Sequence, residues 1–100
     1  MKNVVLSKRE LAKTLKQFPQ WQVSAKNTQL HRIFHFDDYI KALVFVARIS
    51  VHAEVLKHHP DIELSYGKVK VKLTTHKLKA LSRLDLALLE RIENFVESKV

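Results

Sequence analysis

Three histidines in the second half of the chain are the residues best suited to do chemistry. His58 and His59 stand side by side immediately before Pro60, and His76 follows at the end of a strand-like segment. Imidazole side chains titrate near neutral pH, so they are the usual general acids and bases of active sites. Three of them at the ends of predicted elements indicate a small active site that works by proton transfer.

The residues before the histidine pair predict where that pair lies. A residue that precedes a proline is biased away from helical conformation, so the helix before Pro60 should end near His58 or His59. Glu54 stands four residues before His58, and residues at this spacing share one face of a helix. We therefore expect Glu54 to interact with His58 and to orient its ring.

Apolar spacing predicts the helices that carry these residues. Ser7 and Glu10 form a capping-box pattern, and the helix that they begin is closed by Pro19. A second helix is expected over about residues 38–58, because apolar residues recur there at spacings of three and four. This apolar stripe, which we interpret as core or as an oligomer interface, consists of Ile40, Leu43, Val44, Ala47, Val51 and Val55.

Strand signals and a third helix complete the predicted fold. Residues 69–73 alternate between aliphatic side chains and lysines, the pattern of a strand with one buried and one solvated face. Ser82 and Asp85 repeat the capping pattern where the last helix should begin. The predicted fold class is α+β, with a four-stranded antiparallel sheet and three helices packed on one face, in the order α-β-β-α-β-β-α.

The composition indicates a single compact domain. A length of 100 residues, with 46% apolar and 28% charged residues, predicts one globular domain, residues 1–100. The sequence contains no cysteine, which excludes disulfides, thiolate metal ligands and cysteine nucleophiles. The apolar runs are far shorter than the roughly 20 residues of a membrane span, and residues 1–11 have no signal-peptide core. We therefore expect a cytoplasmic protein without a membrane partner.

The ordered positions of the histidines and their neighbours now resemble a known family. The resemblance to the pterin-4a-carbinolamine dehydratases spans residues 7–97, and its supporting context includes Trp21, Arg32 and Phe34. Its anchors follow one another at fixed intervals: Glu54, three residues, His58-His59-Pro60, five residues, Tyr66, nine residues, His76, eight residues and Asp85.

The resemblance implies an activity, a set of site residues and a partner. The reaction would be dehydration of 4a-hydroxytetrahydrobiopterin to quinonoid dihydrobiopterin, without a metal or a cofactor, in a homodimer or homotetramer. His58, His59 and His76 would be catalytic: His58 and His76 would transfer protons, and His59 would chiefly position the pterin. The substrate-binding residues would be Glu54, Pro60, Tyr66, Thr75 and Asp85.

One segment departs from the family pattern. Lys79 and Ala80 stand where the family usually has glycines between the third histidine and the last helix. An alanine takes a positive φ less cheaply than glycine, so we expect the loop after His76 to follow another path.

Several residues have structural explanations that remain open alongside the catalytic ones. The histidine pair can be favoured at a helix C-terminus by the helix dipole, and Asp85 can serve chiefly as a cap. Core packing is the favoured role for Trp21, and for Tyr66 packing and substrate contact are equally supported. A zinc site made by the three histidines is disfavoured, because adjacent residues at a helix end point about 100° apart.

Two other classes of function remain as alternatives. The first is a pterin-handling or transcriptional cofactor module that has the fold without the activity. The second is nucleic-acid binding, suggested by the net charge of +8 and by Lys68, Lys70 and Lys72 on one strand face. Such a face should also carry arginines and aromatic residues that stack on bases. It offers little beyond Tyr66, so nucleic-acid binding is the least favoured.

Overall fold

The computed structural model describes residues 5–97 and contains the predicted helices and strands in the predicted order. Among these residues, no helix combines the length and the apolarity that crossing a membrane requires. The four strands form one antiparallel sheet in the order β1-β2-β4-β3, which confirms the predicted α+β class. The elements are α1 (Lys8–Gln17), β1 (Gln22–Val23), β2 (Leu30–His35), α2 (Tyr39–Leu56), β3 (Asp61–Ser65), β4 (Lys68–Leu73), a 3₁₀ helix (His76–Leu78) and α3 (Arg83–Glu97).

The central strand β4 shows why the sheet has one covered face. Val69, Val71 and Leu73 are fully buried, and the lysines between them point to the other side of the sheet. Alternation with a period of two places successive side chains on opposite faces. The helices therefore pack on the aliphatic face, and the lysine face stays open to solvent.

Helix α2 buries a different face from the one that its sequence pattern suggested. Ala42, Phe45, Ile49 and Ala53 face the core. The predicted stripe lies on the other side and is exposed, with Val51 63% accessible. A helix that is apolar all round has two candidate core faces, so periodicity alone could not choose between them. The core interpretation of the stripe is wrong, and its role as an oligomer interface stays a prediction.

The end of α2 determines how the histidine pair is presented. The helix ends at Leu56, two residues before His58, because Lys57 adopts the left-handed conformation with φ 54°. The Lys57 amide then donates to the Glu54 carbonyl at 3.2 Å, and the His58 amide donates to the Ala53 carbonyl at 3.0 Å. These two bonds form a Schellman cap, which satisfies the last helical carbonyls and turns the chain sharply.

Candidate functional site

His58 is the buried member of the histidine pair. The turn at Lys57 directs its ring inward, where only 11% of the side chain is accessible. Its Nε2 atom lies 2.6 Å from Asp85 Oδ1, at the start of α3. The predicted Glu54–His58 interaction is wrong, because the helix ends before His58 and the two residues do not share its last turn.

Asp85 is held by a network at the N-terminus of α3. Its Oδ2 atom accepts a hydrogen bond from the Ser82 amide at 2.9 Å and another from the Thr75 hydroxyl at 2.7 Å. The Ser82 hydroxyl caps the helix by accepting from the Leu84 amide at 3.2 Å. The predicted capping pattern is therefore present, and the same carboxylate that completes it also holds His58.

His59 points the other way and is 60% accessible. Its Nε2 atom hydrogen-bonds with Glu54 Oε2, so Glu54 does contact a histidine, one position later than predicted. This hydrogen bond and the charge of His59 hold the pKa of Glu54 below its usual value. The pair leaves a polarised imidazole on the surface of the corner between α2 and β3.

His76 begins the 3₁₀ helix that follows β4 and is 72% accessible. Its Nε2 atom lies 3.4 Å from Asp61 Oδ2, at the first residue of β3. Asp61 was not among the site residues predicted from the sequence. The signal was available in the β3–β4 hairpin: a two-residue turn pairs Ser65 with Lys68, which brings the start of β3 beside the end of β4.

The three histidines therefore belong to one corner of the fold, although their rings have different surroundings. His59 and Asp61 flank Pro60, His76 pairs with Asp61, and Thr75, directly before His76, hydrogen-bonds to the carboxylate that holds His58. Each histidine has one carboxylate partner, and two of the three rings are largely open to solvent. Such an arrangement can exchange protons with a bound molecule through more than one imidazole.

Three of the predicted substrate-binding residues are not positioned to touch a substrate in this corner of one chain. Thr75 and Asp85 are 4% and 0% accessible, and their side chains face each other in the interior. Tyr66 is exposed in the turn at the far end of β3, five residues or roughly 17 Å from Asp61 at about 3.4 Å per residue. The five-residue strand β3 separates Tyr66 from the histidines. The spacing of these residues in the sequence did not reveal that distance.

In the loop after His76, where the family usually has glycines, the residue with a positive φ is not the one expected. Lys79, not Ala80, takes the left-handed conformation, with φ 51°. The Thr75 amide donates to the Ala80 carbonyl at 3.0 Å, which closes the loop against α3. The strained position therefore lies outside the network around Asp85.

Two other ring side chains, those of Trp21 and His52, serve packing. Trp21 is 2% accessible and donates its Nε1–H to Glu93 at 2.8 Å, which confirms the predicted core role. His52 stacks on the Phe95 ring at a centroid distance of 5.2 Å, and its Nδ1 atom lies 3.2 Å from Arg91 Nη1. Burial, then the charges of Arg91 and Arg48, lower the pKa of His52 from its usual 6.5. In the part of the chain that the structure describes, no three histidine, cysteine, aspartate or glutamate side chains are grouped so that they could bind a metal ion.

Comparison with known proteins identifies the same family along most of the chain. The family model described as pterin 4 alpha carbinolamine dehydratase matches residues 4–95. A Picosynechococcus sp. protein named "Putative pterin-4-alpha-carbinolamine dehydratase" is 42% identical over 83% of this chain and 88% of its own length. A Rhodospirillum rubrum protein of the same name is 37% identical over 86% of this chain and 90% of its own length. The crystal structure of a Brucella melitensis "transcriptional coactivator/pterin dehydratase" superposes with a TM-score of 0.84 at 28% identity, covering 91% of this chain and 97% of the other.

Proposed function

Because this chain belongs to the pterin 4 alpha carbinolamine dehydratase family, we propose that it removes water from 4a-hydroxytetrahydrobiopterin to give quinonoid dihydrobiopterin. The observation that carries the proposal is that His58, His59 and His76 each lie beside a carboxylate, in segments that meet at one corner. Family membership alone supports a dehydratase-like protein, and this corner is what supports catalysis.

The chemistry requires two balanced proton transfers. The C4a–O bond breaks as the leaving hydroxyl takes up a proton, and a ring N–H of the pterin loses a proton as the new C=N bond forms. Water and quinonoid dihydrobiopterin are the products, and exchange with solvent returns each imidazole to its starting state. One correctly placed acid or base typically accelerates such a step by about 10²–10⁴-fold.

The three histidines divide these tasks according to their surroundings. His58 is rigidly held by a buried carboxylate, so it suits a proton transfer that needs fixed geometry. His76 is the second proton-transfer residue and is paired loosely with Asp61 at 3.4 Å. His59, with its ring exposed and anchored to Glu54, positions the flat pterin ring at the rim of the corner.

We further propose that the chain works as a homodimer or homotetramer in the cytoplasm. Support for self-association comes from the apolar stripe of α2, where Ile40, Val51 and Val55 are each at least 60% accessible. A contiguous apolar helix face of this kind is typical of an interface between chains. A chain without cysteine has no need of an oxidising compartment, which agrees with a cytoplasmic location.

A binding role without catalysis is the second candidate. The Brucella melitensis protein, 28% identical to this chain, is described as both a transcriptional coactivator and a pterin dehydratase. The exposed stripe of α2 also suits a partner protein. Nucleic-acid binding gains no support from the structure: on the open sheet face, Lys72 Nζ lies 3.8 Å from Glu63 Oε2, and Asp61 stands opposite Lys72.

A dehydration assay separates these functions. We expect the purified protein to accelerate loss of water from 4a-hydroxytetrahydropterin, and His59→Ala to lower the rate by at least about tenfold. The matched control is His35→Ala, which removes another exposed histidine from the open sheet face. Equal rates for wild type and His59→Ala would remove this residue from the mechanism. Pterin binding without turnover by the wild type would favour the binding role.

A further inference from the structure

Behind His58 lies a chain of hydrogen bonds that runs through Asp85, Thr75 and Ser82. Thr75 Oγ1 lies 2.7 Å from Asp85 Oδ2 and also 2.7 Å from Ser82 Oγ. The Thr75 hydroxyl has one proton, and that proton is donated to Asp85. The Ser82 hydroxyl must therefore donate to Thr75, while its own lone pair accepts the Leu84 amide proton.

These contacts favour the ionised form of Asp85. The Oδ2 atom accepts from the Ser82 amide, which can only donate, and lies 2.7 Å from the Thr75 hydroxyl, which can donate to it as well. Two donors aimed at one oxygen favour a carboxylate over a carboxylic acid. Asp85 is completely buried, and these donors replace the solvent that a carboxylate would otherwise need.

An ionised Asp85 in turn selects one form of the His58 ring. The neutral imidazole carries its proton on either Nδ1 or Nε2. A proton on Nδ1 would leave two acceptors, His58 Nε2 and Asp85 Oδ1, facing each other at 2.6 Å. A proton on Nε2 makes a charge-assisted hydrogen bond at that distance instead, and it leaves Nδ1 as the nitrogen with a free lone pair.

We propose that Thr75 and Ser82 are positioning residues of the dehydration. Their hydroxyl groups hold Asp85 as a carboxylate, and Asp85 keeps the His58 proton on Nε2 so that Nδ1 takes up the proton leaving the pterin ring nitrogen. This inference rests on the proposed function for its catalytic meaning, whereas the state of the His58 ring is a property of the free protein. Neither hydroxyl touches the substrate, because Thr75 and Ser82 are 4% and 0% accessible.

The test combines spectroscopy with kinetics. In wild-type protein labelled with ¹⁵N-histidine, with the His58 ring in its neutral form, we expect the Nε2 signal of a protonated nitrogen and the Nδ1 signal of an unprotonated one. His58→Gln assigns these signals by their loss. Thr75→Val, which keeps the shape and removes the hydroxyl, should move the two signals toward each other and lower kcat about tenfold with little change in KM.

Two further variants make the result specific. Thr75→Ser restores the hydroxyl and should return both the signals and kcat to near wild type. Thr74→Val is the matched control one residue away, because the Thr74 hydroxyl donates to the Thr28 carbonyl at 2.6 Å and takes no part in the network. It should leave the His58 signals unchanged.

Each outcome decides the point. A wild-type His58 with its proton on Nδ1 would overturn the proposal whether or not any variant folds, and so would His58 signals that Thr75→Val leaves in place. If the signals shift as expected but the wild type has no dehydratase activity, the proposed function fails while the control of the His58 ring stands.

Discussion

Replacing Asp85 with asparagine separates the two roles that this carboxylate has in the fold. The asparagine oxygen can still accept from the Thr75 hydroxyl and the Ser82 amide, which both point at Oδ2 in the native chain. Its amide group then faces His58 Nε2 in place of Oδ1. The helix cap survives, but the group opposite the imidazole changes from an acceptor to a donor.

The expected cost in stability follows from these contacts. A hydrogen bond to a charged group contributes about 1.5–3 kcal/mol and a neutral one about 0.5–1.5 kcal/mol. Three weakened bonds, offset by the smaller cost of burying a neutral amide, should lower the free energy of unfolding by about 1–2 kcal/mol. Asp85→Ala leaves the donors from Thr75, Ser82 and His58 without a partner, so its cost should be about 3–5 kcal/mol.

The effect on the reaction should be much larger than the effect on folding. With an amide donor beside Nε2, the His58 proton moves to Nδ1, and the nitrogen that we propose as the base loses its free lone pair. We expect the dehydration rate of Asp85→Asn to fall by about 10²–10⁴-fold, the contribution of one placed acid or base.

Urea unfolding and the dehydration assay measure the two effects on the same samples. With a typical dependence of 1–3 kcal/mol per molar urea, a gap of about 2 kcal/mol between the asparagine and alanine variants separates their midpoints by roughly 0.7–2 M. Asp61→Asn is the control for a carboxylate that pairs with a histidine at the surface, and it should change stability by under about 0.5 kcal/mol. A folded Asp85→Asn variant within threefold of the wild-type rate would refute the role of Asp85 in the reaction.

Three other substitutions test separate features of the fold. Lys79→Gly should raise the free energy of unfolding by about 0.5–1 kcal/mol, because a left-handed φ costs a residue with a side chain roughly 1–2 kcal/mol, and the extra freedom of glycine in the unfolded chain offsets about 0.4–1 kcal/mol of that gain. The control Ala80→Gly changes a residue without positive φ and should lower the free energy of unfolding. A lower free energy of unfolding in both variants would contradict the argument. Burial and two arginines lower the pKa of His52, so as pH falls below about 6.5 the unfolded chain takes up a proton at this residue before the folded chain does, and the free energy of unfolding decreases. His52→Gln should therefore reduce the slope of the free energy of unfolding against pH between about pH 7 and 5.5, measured by urea titrations. Equal slopes for the variant and the wild type would exclude this linkage. Val51→Glu should shift the protein to a smaller species in analytical ultracentrifugation with little change in the fold, and a wild type that sediments as a monomer would end the proposal of an α2 interface.

The elements could be predicted from the sequence because their signals are local. The Ser7–Glu10 and Ser82–Asp85 caps and the alternation of β4 depend on neighbours a few residues away, and all three are present. The errors arose where a decision depends on distant contacts. Only packing against the sheet determines which apolar face of α2 is buried.

The histidine corner shows the same division between local and distant causes. The proline marked a helix end, but nothing local specified that Lys57, rather than a glycine, would take the left-handed conformation two residues earlier than expected. Because of this one backbone conformation, Glu54 hydrogen-bonds with His59, and His58 hydrogen-bonds with Asp85. The contact between His58 and Asp85 spans 27 positions, beyond the reach of any helical spacing argument.

The double use of Asp85 has a consequence for how related genomes are interpreted. A descendant that abandoned catalysis would still need an acceptor at position 85 for the Ser82 amide and the Thr75 hydroxyl, so an aspartate or asparagine there can be kept for folding alone. His59 carries no such obligation, because it is an exposed side chain that the core does not need. In relatives that have lost the activity, a substitution should therefore appear first at position 59.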